Sequence, residues 1–175
     1  MFEIQPMNAE TYRRQTRRST VIIALMFLVL AMVLSTAAVA LFGEPGGDNL
    51  RFNVGGVFAA LLLTVALMRG KFWTQEWMAP AVYGWQLKRS LMSITNVMHQ
   101  VTVAVEQGDP SAMKLLRFYH LGLSQMHQLD GNSSDHGQLA REMDQHKARM
   151  QTLGIETEQT QLNPAWIDAV KQMSL

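Results

Sequence analysis

Residues 19–42 read STVIIALMFLVLAMVLSTAAVALF, 24 residues without one charge. As an α-helix they extend about 36 Å at 1.5 Å per residue, enough to cross a hydrocarbon core roughly 30 Å thick with some tilt. A second apolar run, Phe52–Met68, is only 17 residues long. It spans about 26 Å, and Arg51 and Arg69 at its ends can snorkel to the two surfaces. Two rival readings exist. The second run could be the buried core helix of a soluble domain. The first could be a signal peptide, with Ala38-Val39-Ala40 as a cleavage site, although its apolar stretch exceeds the usual signal-peptide core. The uniform apolarity of both runs favours two membrane spans.

Basic residues orient them. Arg13, Arg14, Arg17 and Arg18 precede the first run; Arg69, Lys71, Lys88 and Arg89 follow the second. The connection Gly43–Arg51 holds one Arg beside Glu44 and Asp48. The positive-inside rule then places both termini in the cytoplasm and the Pro45-Gly46-Gly47 connection on the far side. The expected organisation is a basic N-terminal segment over 1–18, an antiparallel transmembrane hairpin over 19–68 and a cytoplasmic helical domain over 69–175. Gly55, Gly56, Ala59 and Ala60 lie opposite Ala31, Ser35, Thr36, Ala37, Ala38 and Ala40, so small residues let the two helices approach. The Gly pair could instead form a homodimer face, but packing within the chain is favoured. Neither span carries an ionisable group, which argues against transport by this chain alone.

The chain has 175 residues, no Cys and a net charge of +1. Disulfides, thiol chemistry and Fe–S clusters are excluded, and a general nucleic-acid-binding surface is not expected. Residues 69–175 balance ten Lys/Arg against ten Asp/Glu. The positive excess therefore sits beside the membrane, where it sets topology and can attract anionic head groups. Phe72, Trp73 and Trp77 follow the second span as an interfacial belt.

Beyond Pro80 the pattern is helical throughout, with no strand signal. Leu87, Leu91, Ile94, Met98, Val101 and Val105 form a heptad seam that predicts one helix over about 81–106. Gln107-Gly108-Asp109-Pro110 then gives a stop, an N-cap and a first-turn proline. A second helix, about 110–129, is apolar on more than one side. Asp130-Gly131-Asn132-Ser133-Ser134 is a turn, with Ser133 and Ser134 as capping residues. A third helix, about 135–153, carries a thin stripe of Leu139, Met143, Met150 and Leu153. After Asn163-Pro164 a short helix shows an apolar edge of Trp166, Ile167 and Val170, which docks on the domain or binds a partner. The fold class is all-α: a transmembrane hairpin followed by a helical hairpin or small bundle.

Chemistry is sought first among the histidines. His120 and His127 share one face of the second helix, His99 lies on the preceding helix, and His136 and His146 on the third. Convergence of His99, His120 and His127 with Tyr119 would make a metal or ligand site. No HExxH, HxxxH or acidic cluster flanks them, so no metal ligand set is assigned. No serine sits in a nucleophile elbow, and no phosphate loop or dinucleotide fingerprint occurs. Trp85, Lys88, Arg89, Arg117, Tyr119 and His120 could line an anion or head-group pocket; alternatively Gly84 and Gly122 allow close helix crossing while the cations face water or the membrane. Catalytic, cofactor-binding and metal residues are therefore assigned as none, with no cofactor.

Four stretches carry a resemblance: Ala81–Leu91 (AVYGWQLKRSL), Ser93–Gln100 (SITNVMHQ), Lys114–Leu123 (KLLRFYHLGL) and His127–Ser134 (HQLDGNSS). With them, most of the chain resembles a domain-of-unknown-function family of small two-span proteobacterial membrane proteins. The resemblance implies a bacterial inner-membrane location and supplies no activity or catalytic residue. The functional expectation is a non-enzymatic accessory, scaffold or interaction subunit, with the bilayer and a protein partner or second copy as its contacts and no nucleic acid. The alternatives are an anionic-lipid-associated organiser and a histidine-based metal or ligand sensor.

Overall fold

The computed structural model describes residues 1–131 and 136–173. Seven α-helices account for most of them: α1 Ala9–Phe42, α2 Leu50–Leu67, α3 Ala79–Thr95, α4 Met98–Glu106, α5 Pro110–Asp130, α6 His136–Thr152 and α7 Pro164–Gln172. A π-helical turn, Met68–Phe72, continues α2, and a 3₁₀ turn, Glu76–Met78, precedes α3. The chain divides into two compact units, one of Met1–Arg13 with Tyr83–Leu175 and one of Arg14–Val82.

In the second of these units, α1 and α2 with its π-helical extension are long and apolar enough to cross a membrane. Gly56, Ala60 and Thr64 are buried on one row of α2. A side chain at Gly56 would strike the backbone of Leu34 and Ser35 on α1, whereas Gly55 faces open space. Loss of the Cβ thus brings the two backbones together, as small-residue helix packing requires. The Ser35 hydroxyl donates to Asn53 Oδ1 at 2.7 Å, and Phe42 stacks on Phe52 at 6.3 Å. At the other end the Ser19 hydroxyl donates to the Trp77 carbonyl at 2.7 Å. Outward-facing residues such as Leu25, Leu28, Val29, Leu61 and Leu62 are exposed and apolar.

In the first unit α5 is central, packed by α4, α6 and α7. Its start follows the expected local chemistry. Gly108 takes a left-handed φ of 80°, Asp109 accepts the Ala112 N–H at 2.8 Å, and Pro110 opens the helix. One core gathers Ile94, Val101, Met113, Leu115, Phe118, Met150 and Val170; a second gathers Tyr12, Tyr83, Leu87, Leu91 and Leu129. Gly122 faces Leu87 and Leu91, with Leu91 Cδ2 2.9 Å from where a Cβ would stand. The glycine leaves room there for the ends of these two α3 side chains. The apolar edge of α7 docks on the domain: Val170 is fully buried, with Trp166 and Ile167 packed against the same core.

Several local expectations are corrected. The helix expected over 81–106 is two, α3 and α4, separated at Asn96-Val97, where Val97 leaves helical geometry at φ −118° and ψ 14°. Thr95, Asn96 and Val97 are poor helix formers in succession. The apolar seam continues across the break, so periodicity does not show it. Leu153, placed in the α6 stripe, is 51% exposed, because it lies in the turn beyond the end of α6. The turn and capping assignments at Asn132, Ser133 and Ser134, and the start of α6 at Asp135, lie outside the described residues.

Extended pairing also appears where no strand pattern exists. Glu3 and Gln161 form an isolated antiparallel bridge, with Ile4 N–H donating to Thr160 O at 2.8 Å and Leu162 N–H to Phe2 O at 2.9 Å. Phe2 meets Phe118 edge-on at 6.4 Å and Tyr83 at 5.5 Å. Arg13 Nη1 donates to the Gln128 and Leu129 carbonyls, each at 3.4 Å. A cation there satisfies carbonyls left unpaired at the C-terminal end of α5.

Candidate functional site

A groove of about 580 Å³ opens between α4, α5 and α6, lined by Met98, Thr102, Leu116, Tyr119, His120, Glu142, Gln145, His146 and Arg149. Its floor is polar and buried. His120 and His146 are 6% and 7% exposed, and their rings meet edge to face at 5.4 Å between centroids. The periodicity of each helix explains the meeting. Met113, Leu116, His120, Leu123 and His127 follow one another at three- and four-residue steps on α5. Leu139, Met143, His146 and Met150 do the same on α6. Each histidine occupies a seam position that would otherwise hold an aliphatic residue.

The two imidazoles are held differently. His146 Nε2 lies 2.9 Å from the Met113 carbonyl oxygen. A carbonyl can only accept, so Nε2 carries the proton and the neutral ring keeps its lone pair on Nδ1. His120 Nδ1 is buried without a hydrogen-bond partner. Burial, then the neighbouring His146 and Arg117, pushes His120 from 6.5 down to about 4, with Glu142 opposing. Burial, with Arg117 and Arg149 adding to it, also lowers His146 against the effect of its Met113 hydrogen bond. Both rings are therefore neutral at pH 7. One rim carries Arg149, whose Nη2 donates to the Glu106 carbonyl at 3.0 Å. The opposite charge on the lining is Glu142.

Arg117 stands behind this floor rather than in the groove. It is 5% exposed, its Nε donates to Thr157 O at 3.0 Å, and its Nη1 to Met143 O at 3.4 Å. Burial lowers its pKa while Glu158 and Asp144 oppose the shift. A buried guanidinium with backbone acceptors ties α5 to α6 and to the extended segment before α7.

The remaining candidates are dispersed. His99 lines a separate cavity of about 170 Å³ with Gln100, Val103, Ala104, Gln107, Val170 and Met173. Neither His99 nor His127 lines the α4–α6 groove, so the candidate trio of His99, His120 and His127 does not meet there. Lys88 pairs with Asp130 at 3.0 Å, and Arg89 lies over the Trp85 ring at 5.0 Å. Trp85 and Arg89 line another cavity with Met1 and Phe2. The six-residue anion pocket considered from sequence is thus split into separate places. Among the described residues no group of three or more His, Cys, Asp or Glu is gathered as a metal ligand set. The His120–His146 pair was not foreseen. Its signal was the seam position of His146 between Met143 and Met150, four residues from one and three from the other.

No curated protein matches the chain, and no solved structure matches it. A family model described as "Protein of unknown function (DUF3087)" matches residues 2–167. That match covers nearly the whole of both compact units, and the chain belongs to this family.

Proposed function

We propose that this is a two-span protein of the bacterial inner membrane with both termini in the cytoplasm. Its helical unit serves as a non-enzymatic accessory or interaction module. One observation carries the topology: the segments on either side of the two apolar helices, Met1–Arg13 and Tyr83–Leu175, belong to one compact unit. A chain can place both flanks of its spans in one folded body only by crossing the bilayer an even number of times. The Gly56 contact with Ser35 supports a closed hairpin, and the distribution of Arg and Lys supports the cytoplasmic side. The α4–α6 groove is the surface on which a partner would dock, with Leu116, Tyr119 and Arg149 accessible in its lining.

The test is gentle detergent extraction of the tagged protein from its own membranes, with quantitative mass spectrometry of what accompanies it. A stoichiometric partner that is lost with Tyr119→Ala and Arg149→Ala, while the protein itself is recovered, supports the reading. Recovery of the protein alone removes the interaction role. A second reading rests on the unpartnered His120 Nδ1: the groove as a small-molecule sensor site. Unchanged His120 and His146 imidazole resonances across native membrane extracts would dismiss it.

A further inference from the structure

The cations at one end of the second unit orient the apolar helices, and their geometry assigns them a further task. Arg14, Arg17 and Arg18 lie three and four residues apart on α1, so they share a face. All three are exposed. Like charges at this spacing repel and weaken the helix unless an anion sits among them. Two further exposed cations, Arg69 and Lys71, are carried by the π-helical turn Met68–Phe72. That turn lies at the same end: Phe72 contacts Trp77 at 5.8 Å, and the Trp77 carbonyl accepts from Ser19 on α1. Among the described residues the ion pair formed is Lys88–Asp130, in the other unit, and none of these five cations joins one. The acidic residues near this end are Glu76 and Glu10, which stands four residues before Arg14 on α1; Glu44 and Asp48 belong to the connection at the opposite end of α1 and α2.

We propose that Arg14, Arg17, Arg18, Arg69 and Lys71 form a collar that binds the phosphodiester head groups of anionic phospholipids. The guanidinium fork matches two phosphate oxygens at once. The π-helical turn adds a residue to its turn and so re-aims Arg69 and Lys71 relative to a continued α-helix. Gly70 between them meets nothing that would crowd an approaching head group. Arg69 also lies 5.8 Å from the Trp73 ring centre, and Trp73 and Trp77 are half-buried aromatics of the kind that sit at head-group depth. The collar selects lipid by charge, and it rests on the membrane reading above.

The test uses the full chain with Trp85→Phe and Trp166→Phe, leaving Trp73 and Trp77 as reporters. It is reconstituted in phosphatidylcholine vesicles containing an equal fraction of brominated phosphatidylglycerol or of brominated phosphatidylcholine. Quenching by the brominated anionic lipid should exceed quenching by the zwitterionic one about twofold or more, since each cation near an anionic surface strengthens association about fivefold. The preference should vanish in 1 M salt and in a variant carrying R14Q, R17Q, R18Q, R69Q and K71Q. Equal quenching by both lipids overturns the collar and leaves membrane insertion standing. A preference that survives both salt and the variant also overturns it. No quenching by either lipid overturns the membrane reading itself.

Discussion

Lowering the pH should destabilise the helical unit through His120, and the size follows from its burial. The ring titrates at about 4 in the folded chain against 6.5 in an exposed reference. Burial is the leading cause; His146 and Arg117 add to it, and Glu142 opposes it. The other charged group lining the groove is Arg149 on α6. The folded pKa is depressed, so the neutral ring's contribution is complete above about pH 6.5 and is lost as pH falls toward about 4. At pH 5 nearly every unfolded chain has protonated this imidazole and about one folded chain in ten has. The loss relative to pH 7.5 is then about 2 kcal/mol, approaching about 3 kcal/mol below pH 4. Denaturant unfolding of the full chain in detergent micelles, followed by tryptophan fluorescence, measures it between pH 7.5 and 5. His120→Leu should remove this change of about 2 kcal/mol, an average slope of about 0.8 kcal/mol per pH unit across the window. It should cost little at pH 7.5, because Nδ1 has no hydrogen bond to lose. A folded His120 resonance titrating between 6 and 7, or an unchanged slope in His120→Leu, would refute the reasoning.

Other changes test the packing. Gly56→Leu should weaken the α1–α2 contact by about 1–3 kcal/mol through overpacking, whereas Gly55→Leu should not. Disulfide formation between Ser35→Cys and Asn53→Cys in membranes reports the difference. Arg117→Ala should cost about 3–4 kcal/mol by stranding the Thr157 and Met143 carbonyls and opening the core. Arg117→Lys should recover only part, because an ammonium lacks the fork that reaches both; denaturant midpoints measure each. Phe2→Ala removes contacts with Phe118 and Tyr83 and should lower stability by about 2 kcal/mol. Protease cleavage within the first eight residues should accelerate in the same variant.

What was legible in the sequence is what local chemistry decides. An uncharged apolar run needs no partner to declare itself, and Gly108-Asp109-Pro110 carries a stop, a cap and a start in three residues. The break at Asn96-Val97 was hidden because it conserves the apolar spacing on either side. The N-terminal segment was read from its charge as a basic tail, but Phe2 and Ile4 gain their meaning from residues more than a hundred positions away. The His120–His146 contact depends on the register between α5 and α6. Neither helix states that register alone; the seam positions of both histidines, compared, do.

The adjacent pair Arg13-Arg14 shows how charge acquires different roles from neighbours. Arg13 gives its guanidinium to the last carbonyls of α5, while Arg14 begins the exposed cationic face of α1. One residue closes the helical unit and the next starts the segment leading into the first apolar run. This has a consequence for assembly. Residues 2–5 are made before α3, α5 and the segment 160–162, which hold their acceptors and donors. The core around Tyr83, Leu87 and Leu129 cannot receive Met7 and Tyr12 until both apolar helices have been synthesised. On the proposed two-span reading, completion of the helical unit is therefore coupled to correct insertion. If the proposal holds, a chain whose second apolar helix failed to cross would leave Phe2 and Ile4 separated from Phe118 by the bilayer, its core unfilled, and so exposed to proteolysis.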